Sequence, residues 1–543
     1  MKTPILGSAY VARSVNAADN RMVNLFPEVV PEGGKEPAFL QRAPGLTLLA
    51  TLGAGPIRGM WQFGSYGYVV SGDTLYQIDS NWAAIAKGTI GGTGSVSMAD
   101  NGIQLFVAAN PEGYIYNVGT DTFQQITDPD FPGAVTVGYL DGHFVFNEPN
   151  SQKIWVTSLL DGASIDPLDF ASAEGNPDDV VAVFVDHREV WVYGTNSAEV
   201  WYNAGLLDFP LVRIQGAYNE LGCAAPYSIA KMDNQIYWLG KDARGQGMVF
   251  RAAGYVGQRV STHAIEWQMQ EYSDLSDAVG YTYQQDGHSF YVLNFPSANT
   301  TWVFDVATGA WHERASFQNS QFNRHRGNSQ MFFNDETVIG DYQTGKIYSF
   351  DLDVYADDGV IQKWLRSWRA LPTGANNLAR TIQHSLQLDC ETGVGLNLYP
   401  AYDAEDLATE SGDILVAQFV QGYLTTQAGD QLVTEANDNN NPLVTQTQPA
   451  EDYNGYALQT QAYPEAPGYT PQVMLRFSDD GGHTWSNEHW KSMGRIGQYG
   501  TRAIWRRLGA TMKIRDRVYE VSGTDPVRIY IMGAELILSG TRA

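Results

Sequence analysis

Apolar and polar positions along this chain alternate in short runs rather than in helical stripes. Between Ile57 and Ile78 the sequence reads IRGMWQFGSYGYVVSGDTLYQI: an apolar run, a glycine turn, a second run, a turn, a third. Tyr68, Val69 and Val70 suit a pleated, half-buried surface, and Ser71-Gly72-Asp73 has the dihedral freedom of a tight reversal. Comparable units begin near Ile103, Gly142, Glu189, Gln235, His288 and Thr337. Their second strands start at Tyr68, Leu105, Phe144, Val190, Ile236, Phe290 and Val338, a spacing of about 40 to 50 residues, which is that of a four-stranded propeller blade. The pattern predicts an all-β fold, a β-propeller of six or seven blades; a stack of β-sandwiches is the alternative.

The punctuation divides the chain further. Residues 1–56 read as an extended arm whose backbone must be satisfied against something else, because AADNRMVNLFPEVVPEGGKEP mixes prolines, paired glycines and both charges. The propeller is expected over 57–356, with no linker inside it. Around QKWLRSWRALPTGANN a short helix or connector is expected, and strands resume at SLQLDCETGVGLNLYP, so 357–400 and 471–543 read as a C-terminal β-domain. Residues 401–470 are rich in Gln, Thr, Asn, Asp and Ala and read as an inserted polar, surface-exposed elaboration.

Composition narrows the classes. With 543 residues the chain buries a large core without cross-links, and 43% hydrophobic residues with 55 glycines fit many short strands and turns. No run approaches the length of a membrane-spanning helix, and MKTPILGSAYVARS is too short in its apolar part for a secretory signal. Cys223 and Cys390 lack ligand-spaced neighbours and read as two buried thiols. The net charge of −26 (34 basic against 60 acidic residues) repels DNA. That charge serves solubility, or it coats a passage through which a polyanion must move without sticking.

Against this acidic background two motifs stand out. SDDGGHTW places Ser478, Asp480, Gly482, Thr484 and Trp485 in the order of the Asp-box turn of sialidase-like propellers, in which Asp and Ser/Thr side chains bond a hairpin backbone above a packed Trp. The box is architectural and says little of catalysis. The following stretch concentrates Lys491, Arg495, Arg502, Arg506, Arg507, Lys513, Arg515 and Arg517, the one dense basic patch. Strand alternation would put Trp505 and Arg507 on one face and Arg506 on the other. A subunit or partner interface at Arg495, Arg502, Trp505, Arg506, Arg507, Lys513 and Arg515, a solvated strand face, and nucleic-acid binding are the three readings.

The chain resembles the tail nozzle family of short-tailed phages infecting enterobacteria, also called packaged-DNA stabilisation proteins or tail accessory factors. The resemblance lies in NAADNRMVNLFPE, FLQRAPGL, PIRGMW, LYQID and GTGSVSMADNG near the start, and in RFSDDGGHTWS, AIWRRLGA, MKIRDRV and VRIYIMGAELIL near the end. It implies a β-propeller followed by a β-sandwich-like domain, and a virion tail component assembled in the host cytoplasm. Six copies would form a ring below the head-to-tail adaptor, prolong the DNA channel, help retain packaged DNA, and carry fibres or spikes and a tip or needle. Double-stranded DNA would pass without tight binding, with no membrane insertion.

The rival class is a glycan-cleaving or carbohydrate-binding propeller. Sialidase-type chemistry needs an arginine triad, a Tyr–Glu nucleophile pair and an acid, for which Arg58, Arg188, Arg251, Tyr283 and Glu266 could be assembled. The chain lacks HExxH, G-x-S-x-G, P-loop and C-x-x-C motifs. The pairs His312/His325 and His483/His489 read as turn or surface histidines. The acidic loop Asp161, Asp166, Asp169, Glu174, Asp178 and Asp179 departs from calcium-loop spacing and reads as solvated. No enzyme activity, cofactor or metal is therefore expected.

Overall fold

Seven antiparallel blades follow one another around an axis in the computed structural model, the first four as separate four-stranded sheets, the fifth as a five-stranded one and the last two as parts of larger sheets; the structure describes all residues except 15–16, 174, 207–208, 242–246, 376–378, 397–466, 512–515 and 541–543. Blades I to VII occupy 57–89, 97–125, 137–172, 180–219, 222–259, 279–318 and 327–351. Their inner segments touch in succession, and Gly327–Phe333 of blade VII packs against Ile57–Phe63 of blade I, so the ring is closed.

Blade VII takes its fourth strand from the other end of the propeller. Gly45–Thr51 pairs antiparallel with Lys346–Asp351, Leu48 opposite Tyr348. The N-terminal arm thus closes the wheel and removes a sheet edge that would otherwise stand open.

Side-chain period explains why the middle of each second strand is apolar at successive positions. Tyr68 and Val70 face blade II beside Leu105 and Val107, whereas Val69 faces blade VII beside Met331 and Val338. Phe106 in turn faces blade III with Phe144 and Phe146. A strand buried on both faces has no polar side, so alternation disappears.

Inner hairpin turns add polar latches between blades. Asp100, Asp141, Asp186, Asp233, Asp286 and Asp335 sit at these turns in blades II to VII. Trp61 donates to Asp100 at 2.9 Å, Arg188 and Asn203 to Asp141 at 2.8 and 3.1 Å, and Gln284 to Asp233 at 2.6 Å, each from a neighbouring blade. Lys231 likewise pairs with Asp186.

The C-terminal domain is a β-sandwich built partly from the arm. One sheet continues outward from Ala310–Gln318 of blade VI through Met22–Val23, Trp364–Arg369, Val518–Gly523 and Gln472–Ser478 to His489–Ser492. The other runs Leu25–Val29, Ala38–Arg42, Tyr530–Gly540, Thr381–Cys390, Ile504–Arg506. The Trp364–Arg369 strand corrects the helix or connector expected there: Trp364 and Trp368 are buried aromatics on one face, a two-residue period. The helix His263–Gln270, capped by Thr262, carries no apolar stripe long enough to announce itself in sequence.

Buried arginines rivet the parts. Arg42 lies fully buried and donates to the carbonyls of Asp525 and Val527 in the sandwich at 2.5 and 2.9 Å, and to that of Tyr355 at 3.0 Å. Arg366 donates to the carbonyl of Ile5 at 2.7 Å. Separately, residues 392–396, 467–471 and 493–501 form a second unit, in which Arg495 stacks over Tyr469 and donates to Thr470 at 3.0 Å.

Candidate partner-binding groove

The sandwich has an open end where its two sheets finish. His489–Ser492 is the last strand of one sheet and Ile504–Arg506 the last of the other; the indole N–H of Trp505 bridges them by donating to the His489 carbonyl at 2.7 Å. Between them opens a groove of about 800 Å³ whose walls include Glu488, Trp490, Lys491, Arg502, Arg506 and Arg507. Phe477 closes its floor, held between the Arg517 guanidinium at 4.1 Å and a parallel His489 ring.

The groove is net cationic, with Glu488 the one carboxylate among its lining residues. Lys491, Arg506 and Arg507 are exposed and make no ion pair among the described residues; Arg502 donates to the Gln387 amide at 2.9 Å. Trp490 stands 52% exposed. Arg517 belongs to the interior instead, in a two-pronged pair with Asp479 at 2.7 Å. Of the sequence-predicted interface set, Arg502, Trp505, Arg506 and Arg507 come together here with Trp505 buried beneath, Arg495 lies in the second unit, and Lys513 and Arg515 lie outside the described residues.

Local backbone explains why both arginines point outward. The strand ends at Arg506, and Arg507 takes φ +60° while its N–H donates to the His384 carbonyl at 2.8 Å. The expected pairing of Arg507 with Trp505 on one face is therefore corrected: the left-handed residue ends the two-residue period.

The SDDGGHTW turn lies at the end of Gln472–Ser478, beside this edge. The Ser478 hydroxyl donates to Asp480 at 2.7 Å and accepts the Gly482 N–H at 2.8 Å. Asp480 also accepts the hydroxyl and N–H of Thr484 at 2.6 and 2.8 Å. Those hydrogen bonds hold its carboxyl far below the ordinary carboxylate range. Trp485 is half-buried, with the Arg476 guanidinium 4.8 Å from its ring centre.

Beside the inner strands of blades I to IV lies another concavity, of about 470 Å³, lined by Met60, Met98, Val137, Val183 and Tyr227 among others. That volume equals about fifteen waters. Its lining is mixed, with Ser97, Asp100 and Thr136 beside the apolar groups, and it is far too small for a nucleic acid strand.

The residues that a sialidase reading would recruit are held apart by local duties. Arg58 donates to the carbonyls of Gly94, Gly72 and Gly91; Arg188 pairs with Asp141; Arg251 bonds Gln258; Glu266 pairs with Arg259; Tyr283 is buried and accepts from Arg314. No hydrogen bond or ion pair links any two of them among the described residues.

Other candidates are also placed. His312, within a strand, and His325, in the short connection between Gln321–Arg324 and Gly327–Phe333, are both buried and not surface groups; burial drives His312 well below its usual range and His325 down to about 3. His483 and His489 are exposed. In the acidic loop Asp161, Asp166 and Asp178 accept backbone N–H groups of Ala163, Leu168, Asn196 and Ser197, and Glu174 lies outside the described residues. Cys223 is buried and Cys390 half-buried, and burial raises both thiols, to about 11 and 12. The inter-blade aspartate latches escaped the sequence reading; their signal was the Asp preceding the second strand in ADNG, LDGH, VDHR and MDNQ.

Fold and groove define the class: an all-β propeller–sandwich protein with a cationic groove at the sandwich's open edge. The family model described as bacteriophage P22 Gp10, beta-propeller, matches residues 1–355, and that described as bacteriophage P22 Gp10, beta-sandwich, matches 455–538. The chain belongs to the P22 Gp10 family of phage tail nozzle and packaged-DNA stabilisation proteins. No curated protein sequence matches it. Solved structures similar to it include YCF48 bound to D1 peptide, at 12% identity over 60% of this chain and 97% of that one, TM-score 0.37. The WD40 repeats of RRP9 match at 11% identity over 57% and 100%, TM-score 0.36. The extracellular domain of BT4673 from B. thetaiotaomicron matches at 10% identity over 64% and 43%, TM-score 0.39.

Proposed function

We propose that this tail protein is a non-enzymatic structural fitting that assembles as a ring, with six copies the expected number, below the head-to-tail adaptor. The ring extends the DNA channel, helps retain the packaged genome, and anchors fibres or spikes and a tip. The virion tail is its place of action and the host cytoplasm its place of assembly. One observation carries the reading: Gp10-family matches in both halves of the chain, whose arm stitches propeller and sandwich together. A stiff, closed wheel with only short blade edges suits a part that bears internal pressure.

The cavity beside the propeller's inner strands is too small for DNA, so the conduit is taken to lie between copies, and the net charge of −26 per chain favours passage over adhesion. Cryo-electron microscopy of particles carrying the protein with an epitope tag tests this reading. A ring of tagged density below the adaptor is expected; tag density elsewhere in the particle, or hydrolysis of a fluorogenic sialoside by the purified chain, would overturn it.

A further inference from the structure

The groove at the sandwich edge has features that a solvated strand face lacks. One flanking strand, Ile504–Arg506, ends its sheet with no further strand partner among the described residues. Such edges are templates for pairing and are normally blunted or covered. Across the groove, His489–Ser492 is exposed at all four positions and carries Trp490 outward. Lys491, Arg506 and Arg507 line the same groove without an ion pair among the described residues, on a chain with 60 acidic against 34 basic residues. Its volume of about 800 Å³ lies within the range of ligand-sized clefts, roughly 300–1,000 Å³.

We propose that this groove receives an extended, carboxylate-rich segment of a partner protein, added as a strand to the open edge of the sandwich. Backbone N–H and C=O groups of the edge supply the pairing, the three cations neutralise alternate carboxylates, and Trp490 supplies an aromatic anchor. Alternation suits the geometry, because successive side chains of an added strand point to opposite faces and only every second one meets the cations. Nucleic acid fits less well, since so few cations release few counterions against the repulsion of the whole chain. The inference rests on the tail reading only in taking the partner to be another part of the particle.

The test uses the full chain and a fluorescein-labelled peptide alternating Glu with Thr and Val. Saturable binding is expected in fluorescence anisotropy, weakened about tenfold or more by Arg506→Glu with Arg507→Glu. The same peptide with alternate backbone amides N-methylated keeps its charge, loses its strand donors, and is expected not to bind. Equal binding of the N-methylated peptide, or of an oligothymidylate of the same charge, would overturn strand addition. So would unchanged affinity in the double variant, or no peptide binding by a parent chain with an intact unfolding transition. Unfolding midpoints of parent and variant are compared first; a variant that does not fold is replaced by Arg506→Gln with Arg507→Gln, for which the same weakening is required. These outcomes concern the groove, whereas the tail reading stands or falls on particle images.

Discussion

His288 shows how one side chain couples distant segments. Its Nδ1 contacts Asp305 of blade VI at 2.9 Å and its Nε2 contacts Glu28 of the arm. Burial opposes protonation, yet hydrogen bonds to the two carboxylates outweigh it and raise the group to about 9. A raised pKa in the fold means its stabilisation is complete below the unfolded value of about 6.5 and fades as pH rises through about 9. The thermal midpoint is expected to fall across that window, and His288→Gln to start lower and fall less; an equal slope in both proteins counts against the assignment. Gly482 makes a second residue-scale case. It has φ +105°, and a Cβ there would lie 2.4 Å from the Asp19 carboxylate. Gly482→Ala is expected to cost about 1–2 kcal/mol in urea denaturation, from the left-handed backbone before any clash is counted.

At the scale of elements, the arm is a structural member of both domains. Its strand Gly45–Thr51 completes blade VII, Met22–Val23 bridges blade VI to the sandwich, and Leu25–Val29 with Ala38–Arg42 edges the second sheet. Arg42 is the rivet among these pieces. Its removal as Arg42→Met leaves several buried carbonyls without a donor, and a loss of about 3–5 kcal/mol is expected in chemical denaturation. Cleavage within 20–44 under limited proteolysis should appear in the variant before any cut in the blades; simultaneous loss of all bands would mean that arm and propeller unfold as one unit.

For the whole molecule the decisive quantity is sign of charge. An acidic wheel with one cationic groove should not retain duplex DNA at physiological salt, because counterion release needs many clustered cations. Electrophoretic shift of linear duplex is expected to be absent at about 0.15 M salt, where screening confines charge effects to roughly 8 Å. Retention there, lost with Arg506→Glu and Arg507→Glu, would make the groove a nucleic-acid site and remove the passive-conduit argument.

Much of this architecture was open to reading from residue order. The second strands of the blades lie within two residues of the starts that Tyr68, Leu105, Phe144, Val190, Ile236, Phe290 and Val338 mark, and the cationic cluster around Arg506 was visible as composition. Both are local signals: strand period and turn chemistry act over a few residues. Tertiary structure alone decided that Leu48 pairs with Tyr348, that the arm belongs to two domains, and that two sheet ends meet as a groove. Pairing between segments so far apart in the chain depends on which edges remain open after the blades form, and an open edge leaves no mark in the sequence of the strand that fills it. Arg507 illustrates the same limit within a few residues, since a single left-handed backbone, stabilised by a carbonyl from another strand, reversed the face on which its charge emerges.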